Sequence, residues 1–405
     1  MGPAGLLVLI ADRTVPATAA RESPGRYARL LGRAKTEVGH AACLCRTPPL
    51  RLVIRVRSGR HHLAGWPGEG HEHAPSCPFH KMHPTLSGRS HYAEEAIREN
   101  EEGTAVRLAT PLLTRQDARR KPSAPSPTTT DSGASSSRRT VGLLGLMHHL
   151  WESAGLTHWQ PTWHRTWPTC HARLREQTDG CTVNGQRDVL YVVPPYRPAN
   201  AATNAASFAA FHNRLGRRRT HERRGLILGE IREITKTRQG ERLALCHLRG
   251  GLFSSARLAE RTRRSYRAAF AGTPAERAEH SARRIVLAVV TRSTKGYLVV
   301  EDIAVMLTTT RYIPADSSHE VRMADALTAA GHSFVKPLRY DVRADVFPDF
   351  VVTTNPRRPV YVEVYGMAGL ASYRERKRTK QAHYRARGIP VLEWDTTEPM
   401  PRLTR

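Results

Sequence analysis

Two acids stand inside what reads as a buried β-hairpin. The segment FPDFVVTTNPRRPVYVEVYG at 347–366 carries Asp349 in its first apolar run and Glu363 in its second. A lone buried carboxylate is costly, so each needs a partner. With a period of two, Tyr361, Glu363 and Tyr365 share one face of the second run, while Asp349, Val351 and Thr353 share one face of the first. A turn centred on Pro356 folds the runs antiparallel and sets 349 opposite 363 and 350 opposite 362. Like charges facing each other destabilise a strand pair. A hard divalent cation relieves them, since carboxylates suit Mg²⁺ or Mn²⁺, which keep waters and accept substrate phosphate. Such an ion polarises a phosphodiester and generates hydroxide at neutral pH. The plainer reading seats Asp349 in a strand-edge turn after Pro348 and pairs Glu363 with a nearby Arg.

A second constellation lies near the start. CLC at 43–45 and HEHAPSC at 71–77 place Cys43, Cys45, His73 and Cys77 as a Cys-x-Cys…His-x3-Cys set. The runs LRLVIRV and HHLAGW between them read as a hairpin that brings the ends together. Three thiolates and one imidazole suit a closed, tetrahedral structural Zn²⁺ site. Its ion would add folding energy to a small module with few large apolar residues. His71 is an alternative ligand, and His80 is near. The alternative is a pair of reduced buried cysteines beside a surface His-rich loop. Cys170, His171 and Cys181 lack a recognised zinc spacing, and Cys246 reads as a core strand residue.

The elements that must position the two acids follow from 316 onward. SSHEVRMADALTAAG reads as a helix ending at Gly331, SFVKPLRY, FPDFVVT and PVYVEVYG as three strands, LASYRERKRTKQAHYRARG as a basic helix, and IPVLEW as a last strand. Proline-aspartate followed by a strand Glu, in an α-β-β-β-α-β order, resembles the PD-(D/E)XK nuclease superfamily over roughly residues 316–395. The resemblance implies a restriction-endonuclease-like domain in which Asp349 and Glu363 bind Mg²⁺ or Mn²⁺ and Glu320 on the first helix assists. In that pattern a Lys stands two residues after the Glu; here the position holds Tyr365, which cannot supply a cation. Some members carry the Lys on the following helix. Tyr373, Lys377, Gln381 and Tyr384 share one face there, so Lys377 is the expected lysine, with Gln381 beside it and Lys380 as the second choice. Glu320 also fits a capping box with Ser317 as N-cap. Arg374, Arg376, Arg378 and Lys380 on this helix, with Arg217, Arg218 and Arg219 in RLGRRRT, suit phosphate backbone contacts.

The rest of the chain sets the frame. At 405 residues it exceeds one ordinary core. The expected class is multidomain α/β: a β-rich zinc module at 1–114, a Pro/Ser/Thr linker at 115–140, a basic mixed α/β region at 141–310 and the nuclease-like domain at 311–405. VGLLGLMHHLWESAGL, WPTCHARLREQ and the β-like run after Cys181 are compatible with a winged helix. A net charge of +27 attracts polyanions, nucleic acid first. The 55 Arg among 63 basic residues fit a GC-rich coding bias, which does not account for the scarcity of acids. Six cysteines are too few for a disulfide scaffold and GLLVLI is too short for a signal or a membrane span, so the expectation is a cytoplasmic protein with no membrane partner. CLC…HAPSC, WESAGLTHW, FVKPLRYD…PDFVV and VEVYGM together resemble an uncharacterised bacterial family of unknown function often carried on plasmids and mobile elements, which favours DNA. The functional expectation is a DNA-binding, metal-dependent endonuclease acting on double-stranded mobile-element or foreign DNA. The alternative is a catalytically silent nuclease-fold DNA-binding or scaffold protein. RNA would be drawn by the same charge, although no aromatic-rich RNA-recognition motif is present.

Overall fold

Alternating apolar residues in LRLVIRVR build the centre of the first sheet. The computed structural model describes residues 6–403 apart from 58, 82–86, 94, 101, 116–138, 218, 272–281, 340–346, 357 and 367–370. Strands β1 (Leu7–Ile10), β2 (Arg13–Pro16), β3 (His40–Cys43), β4 (Leu50–Arg57) and β5 (Arg60–Gly65) lie in the order β2-β1-β3-β4-β5. β4 and β5 form the expected hairpin, with Arg57 opposite Arg60. The helix Ala28–Glu37 closes one face with Leu31 and Ala34. The core of this module runs from Val8 to Phe79 and no further. Tyr92, Ile97, Val106 and Leu112 pack instead into the next core, so the module ends near residue 81, short of the expected 114. The expected linker falls, over 116–138, outside the described residues.

Helix α1 (Leu143–Ser153) runs through the middle of that next core, with Leu146, Met147, Leu150 and Trp151 buried, and His148, His149 and Glu152 buried as well. The Trp151 indole N–H donates to the Tyr312 carbonyl at 3.1 Å. Such burial leaves little of this helix free to meet a DNA groove. The two strands after helix α2 (Trp167–Thr178) do not pair with each other as a wing would. Cys181–Val183 pairs in parallel with Thr104–Val106, and Leu190–Val192 pairs in parallel with a longer strand described next. The winged-helix expectation is therefore corrected.

That longer strand starts a closed barrel. β7 (Gly225–Thr237) pairs β8 (Gly240–Leu245), β8 pairs β9 (Leu252–Ser255), and β9 runs parallel to β11 (Leu298–Thr308); β11 pairs β10 (Arg283–Arg292), which returns to β7. β7 serves two neighbours because it splits: Gly225–Glu230 face β10, and Ile231–Thr237 face β8 across a bulge at Ile231/Glu233. Such a bulge bends a strand, which closure needs. Ile227, Leu243, Leu252, Val286 and Ile303 fill the interior, and helix α3 (Ala256–Ser265) packs Leu258 against it.

The last layer has the expected element order: helix α4 (Ser318–Ala329), strands β12 (Phe334–Val335), β13 (Phe350–Val352) and β14 (Val360–Tyr365), helix α5 (Ala371–Ala386) and strand β15 (Val391–Asp395). Phe350 faces Val362, which carries Asp349 to the level of Glu363, the register read from the turn. β14 and β15 are parallel, with Glu363 opposite Glu393. α4 packs Met323, Ala324 and Leu327 on the Phe350, Val362 and Val364 face. SFVKPLRY yields only the two-residue β12. One strand was not foreseen: β6 (His158–Trp159) extends the sheet beside β12 and places Trp159 in its core. The unit therefore recruits chain from well before 311. Among the described residues no helix is long and apolar enough to cross a membrane.

Barrel closure leaves no room at Gly240, where an added Cβ would sit 2.0 Å from the Ser254 carbonyl and 2.7 Å from the Ala256 nitrogen. Both are backbone atoms that a rotamer change cannot move. Gly240→Ala is expected to lower unfolding free energy by about 2–3 kcal/mol, read as an earlier urea midpoint.

Candidate functional site

The antiparallel hairpin and the following helix bring Asp349, Glu363 and Lys380 together. Glu363 is almost fully buried; its Oε2 accepts from Lys380 Nζ at 2.6 Å and its Oε1 from the Tyr384 hydroxyl at 2.5 Å. Asp349, also buried, accepts at Oδ2 from the Val364 amide at 2.8 Å and at Oδ1 from Arg339 at 3.3 Å. The Phe347 carbonyl joins the two cations, accepting from Arg339 at 3.1 Å and Lys380 at 2.8 Å. Burial pushes the Glu363 carboxyl up to about 7, the neighbouring Asp349 charge adds to the rise, and Lys380 and Tyr384 oppose it.

Glu320 sits at the start of α4 and plays the capping part. Its amide donates to Ser317 Oγ at 3.1 Å, and its Oε2 accepts from the Asp316 amide at 3.0 Å, one residue before the N-cap. The same oxygen meets Lys336 Nζ at 2.7 Å, and Lys336 also meets Asp316 Oδ2 at 3.0 Å. Burial pushes Glu320 up to about 7, while Lys336 is held charged against its own burial by Asp316, Glu320 and Asp349. Both shifts are upward, which favours a neutral Glu320 beside a charged Lys336. Beside them stands the half-exposed Asp316, whose carboxyl is pushed up by partial burial but held well below the usual range by Lys336 and Arg339. Asp316 is the ionised counter-charge, and Glu320 is the acid of the group that most readily keeps a proton.

Lys377 is not at the two acids. Its Nζ meets Asp395 at 3.2 Å and lies 4.3 Å from the centre of the Tyr365 ring. Tyr365 donates to Glu393 at 3.1 Å, and Gln381 donates to Glu393 at 2.8 Å. Lys377 and Gln381 thus form a second cluster over β15, and the lysine at the paired carboxylates is Lys380. The helix face carrying Lys377, Gln381 and Tyr384 does turn to the sheet, as its spacing implied; Tyr373 is described only as helix. Lys380 is consequently engaged inward, which removes it from the expected phosphate-contacting set. Arg374 and Arg378 are exposed on α5, and Arg217 and Arg219 are exposed on the strand Gly216–Arg217 and the turn after it. The Arg376 side chain and Arg218 lie outside the described residues. Lys336 and Arg339 were missed in the sequence. Their only signal is the KPLR that ends an apolar run, which reads as a strand terminus.

The Cys/His set comes together as its spacing implied. Cys43 Sγ lies 3.5 Å from Cys77 Sγ, and His73 Nδ1 lies 3.4 Å from Cys45 Sγ and 3.5 Å from Cys77 Sγ. All four ligand atoms fall within 4.8 Å of one another, and this is the one such group among the described residues. A tetrahedron with ordinary Zn–S and Zn–N bonds has edges of about 3.5–3.8 Å, so the group could hold a metal ion such as zinc. The Cys43–Cys77 contact lowers the Cys43 thiol and raises the Cys77 thiol, the direction that favours one thiolate for a metal. His80 turns away to His158 Nε2 at 3.3 Å. Cys170 and Cys181 are core residues, and burial pushes the Cys170 thiol up to about 12. Cys246 is half-buried in the turn after β8, not in a strand.

Over residues 13–397 the chain matches the family described as "Protein of unknown function (DUF1173)". No curated protein matches it, and no solved structure does.

Two outcomes test these clusters. Lys336→Met strands Glu320 in the interior and removes the cation that Asp316 meets, and is expected to cost about 3–5 kcal/mol, seen in urea unfolding at neutral pH. Cys43→Ser is expected to abolish bound zinc in elemental analysis and to lower the melting temperature by about 5 °C or more.

Proposed function

The chain belongs to this DUF1173 family, and we propose that its C-terminal layer is a PD-(D/E)XK-type nuclease fold performing metal-dependent cleavage of DNA phosphodiesters. The observation that carries the proposal is the Asp349–Glu363 pair, two buried carboxylates set at one level of an antiparallel hairpin with a lysine from the next helix on one of them. Burial first, and then the Asp349 charge, raise the Glu363 carboxyl, and a divalent cation would offset both. All-oxygen donors fit Mg²⁺ or Mn²⁺, and Asp349 and Glu363 are the residues that would hold it. When bound, that ion supplies a polarised phosphate and an acidified water. Lys380 keeps a positive charge at the same acids and replaces the cation missing at Tyr365. Tyr384 and the Val364 amide orient the carboxylates. Glu320, held to Lys336 and the helix cap, positions the first turn of α4. The exposed Arg374, Arg378 and Arg385 on the outer face of α5 suit the phosphate backbone of double-stranded DNA.

A second reading keeps the fold without the chemistry. It is favoured by the same contacts: Glu363 already has Lys380 and Tyr384, and Asp349 already has Arg339, so the acids are satisfied by protein groups alone. On that reading the C-terminal layer is a scaffold that binds DNA through charge.

Plasmid nicking in Mg²⁺ or Mn²⁺ separates the two. Asp349→Asn, Glu363→Gln and Lys380→Ala are each expected to lower the rate by about 10²–10³-fold, while Lys377→Ala stays within a few-fold. Salt-sensitive binding with no nicking in either metal establishes the scaffold.

The raised Glu363 carboxyl sets a pH dependence. Its proton must leave before metal binds, so Mn²⁺ affinity should climb as pH rises to about 7 and level off above it. In metal-free protein the sign is opposite for stability. A folded pKa above the unfolded one favours the fold at low pH, and that contribution is lost between about 4.5 and about 7. Calorimetric Mn²⁺ titrations from pH 5.5 to 8 read the first effect.

A further inference from the structure

We propose that the outer face of the β7–β11 barrel is a second nucleic-acid site, one that takes single strands by stacking bases on Tyr297 and Phe253. The barrel pairs its strands in the sequence β7-β8-β9-β11-β10 with α3 between β9 and β10, the arrangement of a Greek-key OB-type barrel. Two aromatic rings stand on its outside. Leu252 points into the core, so Phe253 points out; it belongs to no hydrophobic cluster and is half-buried. Tyr297, in the turn between β10 and β11, is 55% exposed, and its ring centre lies 5.5 Å from that of Phe253 at an interplanar angle of 67°.

Register places Phe253 in a continuous row across the sheet, with Tyr297 against it from the turn before β11: Thr235 is opposite Arg242, Arg242 opposite Phe253, and Phe253 beside Val299. Cations bracket the row from both ends. The β7–β8 turn, at the Ser255 end of β9, brings exposed Arg238. The β10–β11 turn and the β8–β9 loop, at the Leu252 end, bring exposed Lys295 and Arg249. Glu233 and Glu301 are the exposed acids nearest to the row on β7 and β11. Exposed aromatic faces with a cationic fringe hold unpaired bases and backbone together, whereas a duplex hides its base faces and offers only phosphates. The occupant is therefore a single strand. The stacking chemistry is common to DNA and RNA, and the 2′-hydroxyl separates them.

The test is fluorescence anisotropy on the full chain in EDTA, so that cleavage plays no part, with labelled dT15, rU15 and a 15-base-pair duplex. The wild type is expected to bind a single strand more tightly than the duplex. Tyr297→Ala should weaken single-strand binding about tenfold or more and erase the preference, Tyr297→Trp should retain it, and Phe253→Ala should match Tyr297→Ala. Lys295→Ala should lower the salt slope by about one while keeping the preference. The site extends the nuclease reading, but single-strand binding in EDTA is read without cleavage, so failure here is distinct from failure of the nuclease reading. Tyr297 is on the surface, so unchanged melting is expected for its variants; if Phe253→Ala melts early, Tyr297→Ala decides. Preference for dT15, for rU15 or for both, lost in Tyr297→Ala, supports the site. Equal affinity for duplex and single strands, or a Tyr297→Ala protein within twofold of wild type, overturns it.

Discussion

Buried carboxylates must be matched by cations from other segments of the chain, and the C-terminal layer is organised around that requirement. Buried Glu320, Asp349 and Glu363, with the exposed Asp316 beside them, meet Lys336, Arg339 and Lys380, and Phe347 supplies a carbonyl that ties two of those cations together. Lys336 is only 1% exposed. An interior ammonium of this kind is tolerated only with its partners in place. The network therefore locks β12, β13, α4 and α5 to one another, and the packing of Phe350, Val362 and Met323 proceeds around it.

The same arrangement explains how one site supports two functional readings. Each acid has a protein partner, so the resting state is satisfied. The acids nonetheless crowd one another, so a stronger cation has something to gain. Burial and the Asp349 charge both push the Glu363 carboxyl upward, and the Lys380 ammonium opposes them. Which side prevails in the presence of divalent metal is a balance between the lysine and the ion for the same oxygens.

The remaining units are less separable than their sequence suggests. The zinc-competent module is closed by its own core, yet His80 touches His158 on the strand that extends the C-terminal sheet. α1 is shared between the barrel's outer wall and the strands of residues 97–106. The middle of the chain serves as a hub, with the barrel facing outward on its β8–β9 side and the carboxylate layer attached through β6.

Local rules made the hairpin and the metal cluster legible. A period of two and a turn at Pro356 leave one economical register, so Asp349 opposite Glu363 could be read without coordinates. Four ligands flanking a hairpin likewise converge by chain geometry alone. The lysine could not be read in this way. Lys377, Lys380, Gln381 and Tyr384 all turn to the sheet, and only the parallel pairing of β14 with β15 decides which strand each meets: Lys377 and Gln381 reach β15, Lys380 and Tyr384 reach Glu363. Nor could the sequence bring Trp159 to β12, close the barrel, or set Phe253 against Tyr297, because those contacts join residues whose separation carries no local signal. Sequence determined the residue types, the periodicities and the short turns, all of which act over a few residues. Tertiary structure decided which cation neutralises which acid and which aromatics share a surface, because burial and Coulomb energy depend on distance in space and not on distance along the chain.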